Sequence, residues 1–315
     1  MKKLLFSCII LAVCCQLSAQ QDHQYTQFMY NKLLYNPAYA GSREVPTLTG
    51  IFRSQWMGFD GAPQSALVSF SSHFLSPRVG VGVVLSQQKI GLQRDFHASL
   101  AYSYELLKVD DISVRAGIQA SVRSLGIAWN EADPAQPLGD PSLPDLDQRT
   151  TDFYGNVGAG VFATIMDRYF VGLAVPRIYS NNIGELDSLA LAKESPHFYG
   201  IAGGIFPLSD DIKLMPAVLF KYVQNAPFDA DINVNLDIRQ KVTAGISYRL
   251  GGDGLGESVD LLVLWQATPQ FAVGASYDFT LSDIKDYTAG SIELLVQADL
   301  KKPKNKSVFH PRFLN

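Results

Sequence analysis

ISVRAGIQASVR, residues Ile112–Arg123, decides how the chain is read. Ile112, Val114, Ala116, Ile118, Ala120 and Val122 alternate with Ser113, Arg115, Gly117, Gln119, Ser121 and Arg123. Successive side chains of a β-strand point to opposite faces, so this strand has one apolar face and one polar, partly charged face. The preceding run, Asp95–Leu106, repeats the pattern, with Phe96, Ala98, Leu100, Tyr102, Tyr104 and Leu106 against His97, Ser99, Ala101, Ser103 and Glu105. Each run has about eleven or twelve residues, roughly what a tilted strand needs to cross a bilayer. Only a short turn around Lys108–Asp111 separates them.

The same unit recurs through the chain. Candidate strands are Thr47–Gln55, Gln64–Phe74, Arg78–Gln87, Asp95–Leu106, Asp111–Leu125, Phe153–Ile165, Arg168–Val175, His197–Phe206, Asp211–Val223, Ala230–Arg239, Lys241–Leu250, Ser258–Trp265, Thr268–Phe279 and Tyr287–Leu300, fourteen in all. Connections after even-numbered strands are tight, such as Met166-Asp167 and Gln240. Those after odd-numbered strands are mostly longer, and Gly126–Asp152 and Pro176–Pro196 are much longer. Sorting of loop length by parity marks outer-membrane barrels, and a soluble two-sheet protein has no reason to show it. The expected fold is therefore an all-β, antiparallel transmembrane barrel of about fourteen strands.

The ends of the chain read differently. Lys2 and Lys3, the apolar Leu4–Val13 and Leu17-Ser18-Ala19 form a secretory signal over residues 1–20, which is too short for a membrane span. All three cysteines lie within it, so the mature chain has no disulfide or cysteine metal site; Cys14 or Cys15 is a weak match to a lipidation site. Removing two lysines takes the formal charge from −4 to −6, which gives no general case for nucleic-acid binding. After the signal no apolar run approaches 18 residues, so no transmembrane helix is expected. The expected divisions are 21–45 as a periplasmic or lumenal segment, 46–300 as the barrel, and 301–315 as a basic periplasmic tail.

Catalytic and metal signatures are scarce. His23, His73, His97, His197 and His310 are scattered, with no pair at helical metal-ligand spacing, and no GxSxG elbow occurs. Gly80-Val-Gly82 and Gly158-Ala-Gly160 lack a nucleotide-loop setting and suit strand positions where a backbone or lumen filler approaches closely. No cofactor, metal or enzymatic activity is expected. Gly126–Asp152 carries six acidic residues against Arg149, a solvated loop or an acidic docking surface. The inward set is His97, Glu105, Arg115, Arg123, Lys213, Lys221, Asp237, Arg239, Arg249, Asp260 and Asp278. Such groups either pair across the lumen and close it, or line an ion-selective pore.

The N-proximal block is the most unusual stretch. Gln21–Gly41 holds Tyr25, Phe28, Tyr30, Tyr35 and Tyr39, and suggests a short helix near Tyr25–Leu34 closed at Asn36-Pro37. QQDHQYTQFMYNKLLYNPAYAGSR, followed by FRSQWMGFDGAPQS, closely resembles the start of the PorP/SprF family of type IX secretion system membrane proteins. The resemblance continues through GVGVVLSQQKIG, the block HFYGIAGGIFPLSDDIKLMPAVLFKYVQNAPFDADINVNL, SYDFTLSDIKDYTAGSIELLV and the closing Pro311–Phe313. The matching motif residues are Asn36, Pro37, Ala38, Tyr39, Ala40, Gly41, Arg53, Gln55, Trp56, Gly58, Phe59, Asp60, Gly61 and Pro63.

That resemblance implies a non-enzymatic outer-membrane component of type IX secretion in Bacteroidota. The family supports export or surface attachment of large adhesins, often linked to gliding motility. Its implied partners are outer-membrane lipid, periplasmic ring, lipoprotein and translocon components of the secretion system, and the secreted cargo, with no nucleic acid. The alternatives are an outer-membrane transporter or porin for a small or hydrophobic solute, and a soluble secreted β protein. Parity places the long loops outside the cell and both termini in the periplasm. The tail cations Lys301, Lys302, Lys304, Lys306 and Arg312 suit an acidic periplasmic surface.

Overall fold

The structure, a computed structural model, describes residues 24–43, 45–128, 131, 149–186, 189–224, 226, 228–251, 256–301 and 311–314. The expected signal, its cysteines, most of the acidic Gly126–Asp152 loop and tail residues 302–310 lie outside the described residues.

The alternation folds as expected into antiparallel strands. These are β1 (Thr47–Ser54), β2 (Gln64–Phe74), β3 (Ser76–Ile90), β4 (Gln93–Val109), β5 (Ile112–Ala128), β6 (Arg149–Ile165) and β7 (Tyr169–Val175). A separate hairpin of β8 (Asn181–Leu186) and β9 (Leu189–Glu194) follows. The wall resumes with β10 (His197–Gly204), the two-residue β11 (Phe206–Pro207), β12 (Ile212–Val223), β13 (Asp229–Ile238), β14 (Val242–Leu250), β15 (Ser258–Thr268), β16 (Phe271–Thr280) and β17 (Ser291–Asp299). β10 pairs with both β7 and β12, and β1 pairs with both β2 and β17, so fourteen strands close on themselves. Closure matters because lipid offers no partner to an open sheet edge.

Two-residue periodicity sets the two faces. In β5, Arg115, Gly117 and Gln119 are buried, whereas Ile112, Ile118 and Val122 are exposed. Leu48, Phe52, Val68, Leu100, Tyr102, Val157, Leu173 and Phe220 continue the exposed apolar surface on other strands. No described helix is long and apolar enough to cross a membrane. The exposed apolar face of the closed wall is a membrane-spanning surface.

One end of the barrel is closed by tight turns. Met166 and Asp167, and likewise Arg239 and Gln240, all have φ between +48° and +56°. Paired left-handed residues define the hairpin turn whose twist matches that of its strands. Arg168 N donates to Ile165 O at 3.0 Å and Lys241 N to Ile238 O at 3.0 Å, closing both. The alternation puts Arg239 among the lumen-facing charges; in the structure it is an exposed turn residue paired with Asp211 at 3.1 Å, because the strand ends at Ile238. The opposite end carries the longer connections, apart from the short Gly91-Leu92 link between β3 and β4. Pro216 marks one irregularity. Pairing of β10 with β12 stops at Gly203–Ala217, next to a residue with no N–H to donate, and resumes through β11 at Phe206–Leu214.

Candidate functional site: the occupied lumen

The sequence reading suggests one short helix near Tyr25–Leu34. The structure has three 3-10 turns instead: Phe28–Tyr30, Lys32–Leu34 and Pro37–Tyr39. Asn31, at φ −137°, separates the first two. Asn36 precedes proline and is extended (φ −143°, ψ 113°), which separates the last two. The Asn36 side chain then accepts from Ala38 N at 2.9 Å and caps the third turn.

This segment occupies the lumen along its length. Gln24 bonds Asp229 at the long-loop end, and Arg43 pairs with Asp299 at 2.9 Å at the short-turn end. Between them the chain touches most of the wall. Asn31 Oδ1 accepts from Ser69 Oγ at 2.9 Å on β2, and Ala40 O accepts from Ser103 Oγ at 2.5 Å on β4. Tyr35 packs edge-on against Tyr199 of β10, their centroids 5.4 Å apart, and Tyr30 O accepts from Gln297 of β17. Tyr25, Phe28, Met29, Tyr30 and Leu33 are all at most 2% exposed. Beside the segment remain a cavity of about 50 Å³ near Tyr25 and Tyr35 and one of about 150 Å³ near Ser42 and Arg115.

The NPAYAG residues are held by an absence of side chains in the wall. A Cβ on Gly117 of β5 would lie 2.5 Å from Ala38 Cα and 2.6 Å from Pro37 C. One on Gly80 of β3 would collide with the Ala40 carbonyl, and one on Gly172 of β7 would lie 2.7 Å from Asn36 Nδ2. Gly160 of β6 faces Asn36 in the same way. Asn36 Nδ2 donates to Val161 O at 2.8 Å, fastening the turn to wall backbone. Gly41 has φ +61°, and its own Cβ would lie 2.5 Å from Gly80 Cα, so glycine is required on both sides of that contact. Gly80-Val-Gly82 and Gly160 thus sit where a lumen filler approaches, as their sequence context suggested.

Arg53 anchors the other wall. It is 1% exposed; its guanidinium donates to Asp278 at 2.8 Å and Thr26 Oγ1 at 3.0 Å, and lies 3.3 Å from Glu293. Glu293 accepts the backbone N–H groups of Thr26 and Gln27, each at 2.9 Å, and Thr26 Oγ1 donates to Asp260 at 3.1 Å. One buried network therefore fixes the start of the lumen segment and four wall strands, β1, β15, β16 and β17. The remaining motif residues form an outer loop. Gln55 N donates to Pro63 O at 2.9 Å, Gly91 N donates to Gly61 O at 2.9 Å, and Met57 pairs backbone with Ala289 and Gly290. Gly58, Phe59 and Asp60 are exposed there, while Trp56 is half-buried at φ +49°. The motif thus divides into a lumenal part (Asn36–Gly41 and Arg53) and a rim part (Gln55–Pro63).

Most inward charges pair with other groups of the chain. Arg249 meets Asp231 at 2.7 Å, and Arg123 meets Asp95 at 2.5 Å and Glu194 at 3.1 Å. Lys32, fully buried, donates to Phe313 O at 2.5 Å with Phe170, Tyr39 and Phe313 rings 4.5–5.9 Å away. The turn Pro311–Leu314 brings Phe313 there, and Arg312 meets Asp299 at 3.0 Å. Sequence reasoning missed Lys32, Glu293, Gly117 and Gly172. For Glu293, Gly117 and Gly172 the signal was a polar or bare position on the inward parity of a strand; Lys32 lies on no strand and had no such signal.

A closed strand barrel with an apolar outside and an occupied lumen defines a plugged, membrane-spanning β-barrel protein. A solved channel structure shares the fold. The CymD monoaromatic hydrocarbon channel aligns at 12% identity with a TM-score of 0.50, covering 87% of this chain and 91% of its own. Acinetobacter baumannii Omp33 aligns at 9% identity with a TM-score of 0.48, covering 82% and 99%. No curated protein matches the chain. The family described as "Type IX secretion system membrane protein PorP/SprF" matches residues 17–298, and the chain belongs to that family.

Proposed function

We propose that this protein serves type IX secretion as a closed, non-enzymatic outer-membrane component. In this reading it supports export or surface attachment of large cell-surface proteins by docking partners at its two ends. The observation that supports it most is the lumen segment, whose turns seat on wall glycines and whose first residues are bonded into the Arg53 network. A porin for a polar solute needs a continuous polar path, and here buried aromatic rings and paired charges occupy the lumen.

The long-loop end faces outward in this reading, and the short-turn end meets periplasmic secretion components. Arg312 and Phe313 are committed inside the lumen, so periplasmic docking through the tail rests on Lys301, Lys302, Lys304 and Lys306. Changing those four lysines to glutamine, with Pro311–Leu314 kept, tests it. Normal outer-membrane insertion with reduced cargo export supports the role; normal export by the inserted variant removes the tail from it.

A further inference from the structure

The outward wall changes character near its long-loop end. Strand registers align Phe52, Ala66, Gln87 and Phe96 in one outward row across β1–β4. The next outward row toward the loops is Gln64, Lys89, Arg94, Gly126 and Thr151, across β2–β6. Aromatic side chains at the edge of an apolar band mark the membrane interface, so the second row stands at headgroup level. Both rows line an open groove of about 430 Å³. From β1 to β6 there are five strand spacings of about 4.8 Å, so the groove is about 24 Å wide.

Its chemistry is that of an anion site above an apolar floor. Lys89 and Arg94 are direct cross-strand partners, and Glu131 bridges them, 3.4 Å from Lys89 Nζ and in contact with Arg94 Nη2. Among the described residues two cations share one carboxylate, which leaves a net positive charge beside the amides of Gln64 and Gln87. All three charged side chains are at least 31% exposed, so an incoming anion can reach them.

We propose that this groove binds a phosphorylated saccharolipid of the lipid A class. A phosphate would take the Glu131 position between Lys89 and Arg94, the sugar would meet the Gln64 and Gln87 amides, and acyl chains would lie on Phe52 and Phe96. The width selects a two-sugar headgroup over that of a single phospholipid. Assigning the lipid to the outer leaflet rests on the outward placement of the long-loop end; the binding itself does not.

Native mass spectrometry of the purified full chain in detergent, titrated separately with lipid A and with phosphatidylglycerol, tests this. The expected result is higher occupancy by lipid A, a loss of about tenfold in its affinity on Lys89→Gln with Arg94→Gln, and a gain on Glu131→Gln. Equal retention of both lipids would overturn the saccharolipid assignment. Unchanged lipid A binding by the double variant, with heat-modifiable gel mobility intact, would overturn the site. The Glu131→Gln arm needs no loss of function to be read, and absence of a gain contradicts the bridging role. None of these outcomes bears on cargo export, so this site and the secretion role fail independently.

Discussion

Replacing Gly117 with alanine adds one methyl group where the lumen segment touches the wall. That carbon would lie 2.5 Å from Ala38 Cα and 2.6 Å from Pro37 C, both backbone atoms of a capped turn. No flexible side chain can yield. Relief requires lifting the turn, which stretches the bond from Asn36 Nδ2 to Val161 O. A lost hydrogen bond costs about 1 kcal/mol and overpacking about 1–3 kcal/mol, so the expected destabilisation is about 2–4 kcal/mol. Two glycines calibrate the result. At Gly155 a Cβ meets nothing within 4 Å, so Gly155→Ala is expected to stay within about 0.5 kcal/mol of the parent. At Gly274 the nearest atom is the amide oxygen of Gln27, the far end of a side chain, so Gly274→Ala falls between the two. Urea unfolding in detergent, followed by tryptophan fluorescence, gives the order. A Gly117→Ala midpoint equal to that of Gly155→Ala would refute the clasp.

Three further outcomes are expected. Arg53→Met leaves Asp278 and Glu293 buried without their shared cation, and breaking such a pair costs about 3–5 kcal/mol, so heat-modifiable folded protein should fall sharply in outer-membrane fractions. Phe313→Ala empties a site packed on Tyr30 and Phe170; loss of a buried Phe costs about 3–5 kcal/mol, read as a lower urea midpoint. An epitope inserted near Pro137 is expected to label on intact cells and one after Asn315 is not; the reverse pattern would invert the proposed orientation.

The wall was legible in the sequence because two-residue alternation and tight turns are local signals. Ile112–Arg123 identifies its faces without any partner strand. Boundaries shifted where local chemistry competes: Asp283–Tyr287 forms a 3-10 turn, so the last strand begins at Ser291 rather than Tyr287. The β8–β9 hairpin escaped notice because NNIGEL and LALAKE are short and hardly alternate. Contents of the lumen were much less legible. NPAYAG announces turn chemistry, but its seat is four glycines from four strands, and no spacing along the chain links Gly80, Gly117, Gly160 and Gly172. Arg53 likewise reads as one more inward charge until Glu293, Asp278 and Thr26 converge on it. Pairing across a lumen is a property of the closed sheet, so single-strand periodicity cannot show it.

The central claim is that the chain's own N-terminal segment seals the barrel. Planar-bilayer conductance of the purified protein tests it most directly, comparing the parent with a variant lacking residues 24–43. The parent should give no steady conductance, and the deletion, once shown to be inserted, should open discrete channels. Porin-like steady conductance from the parent would contradict the account.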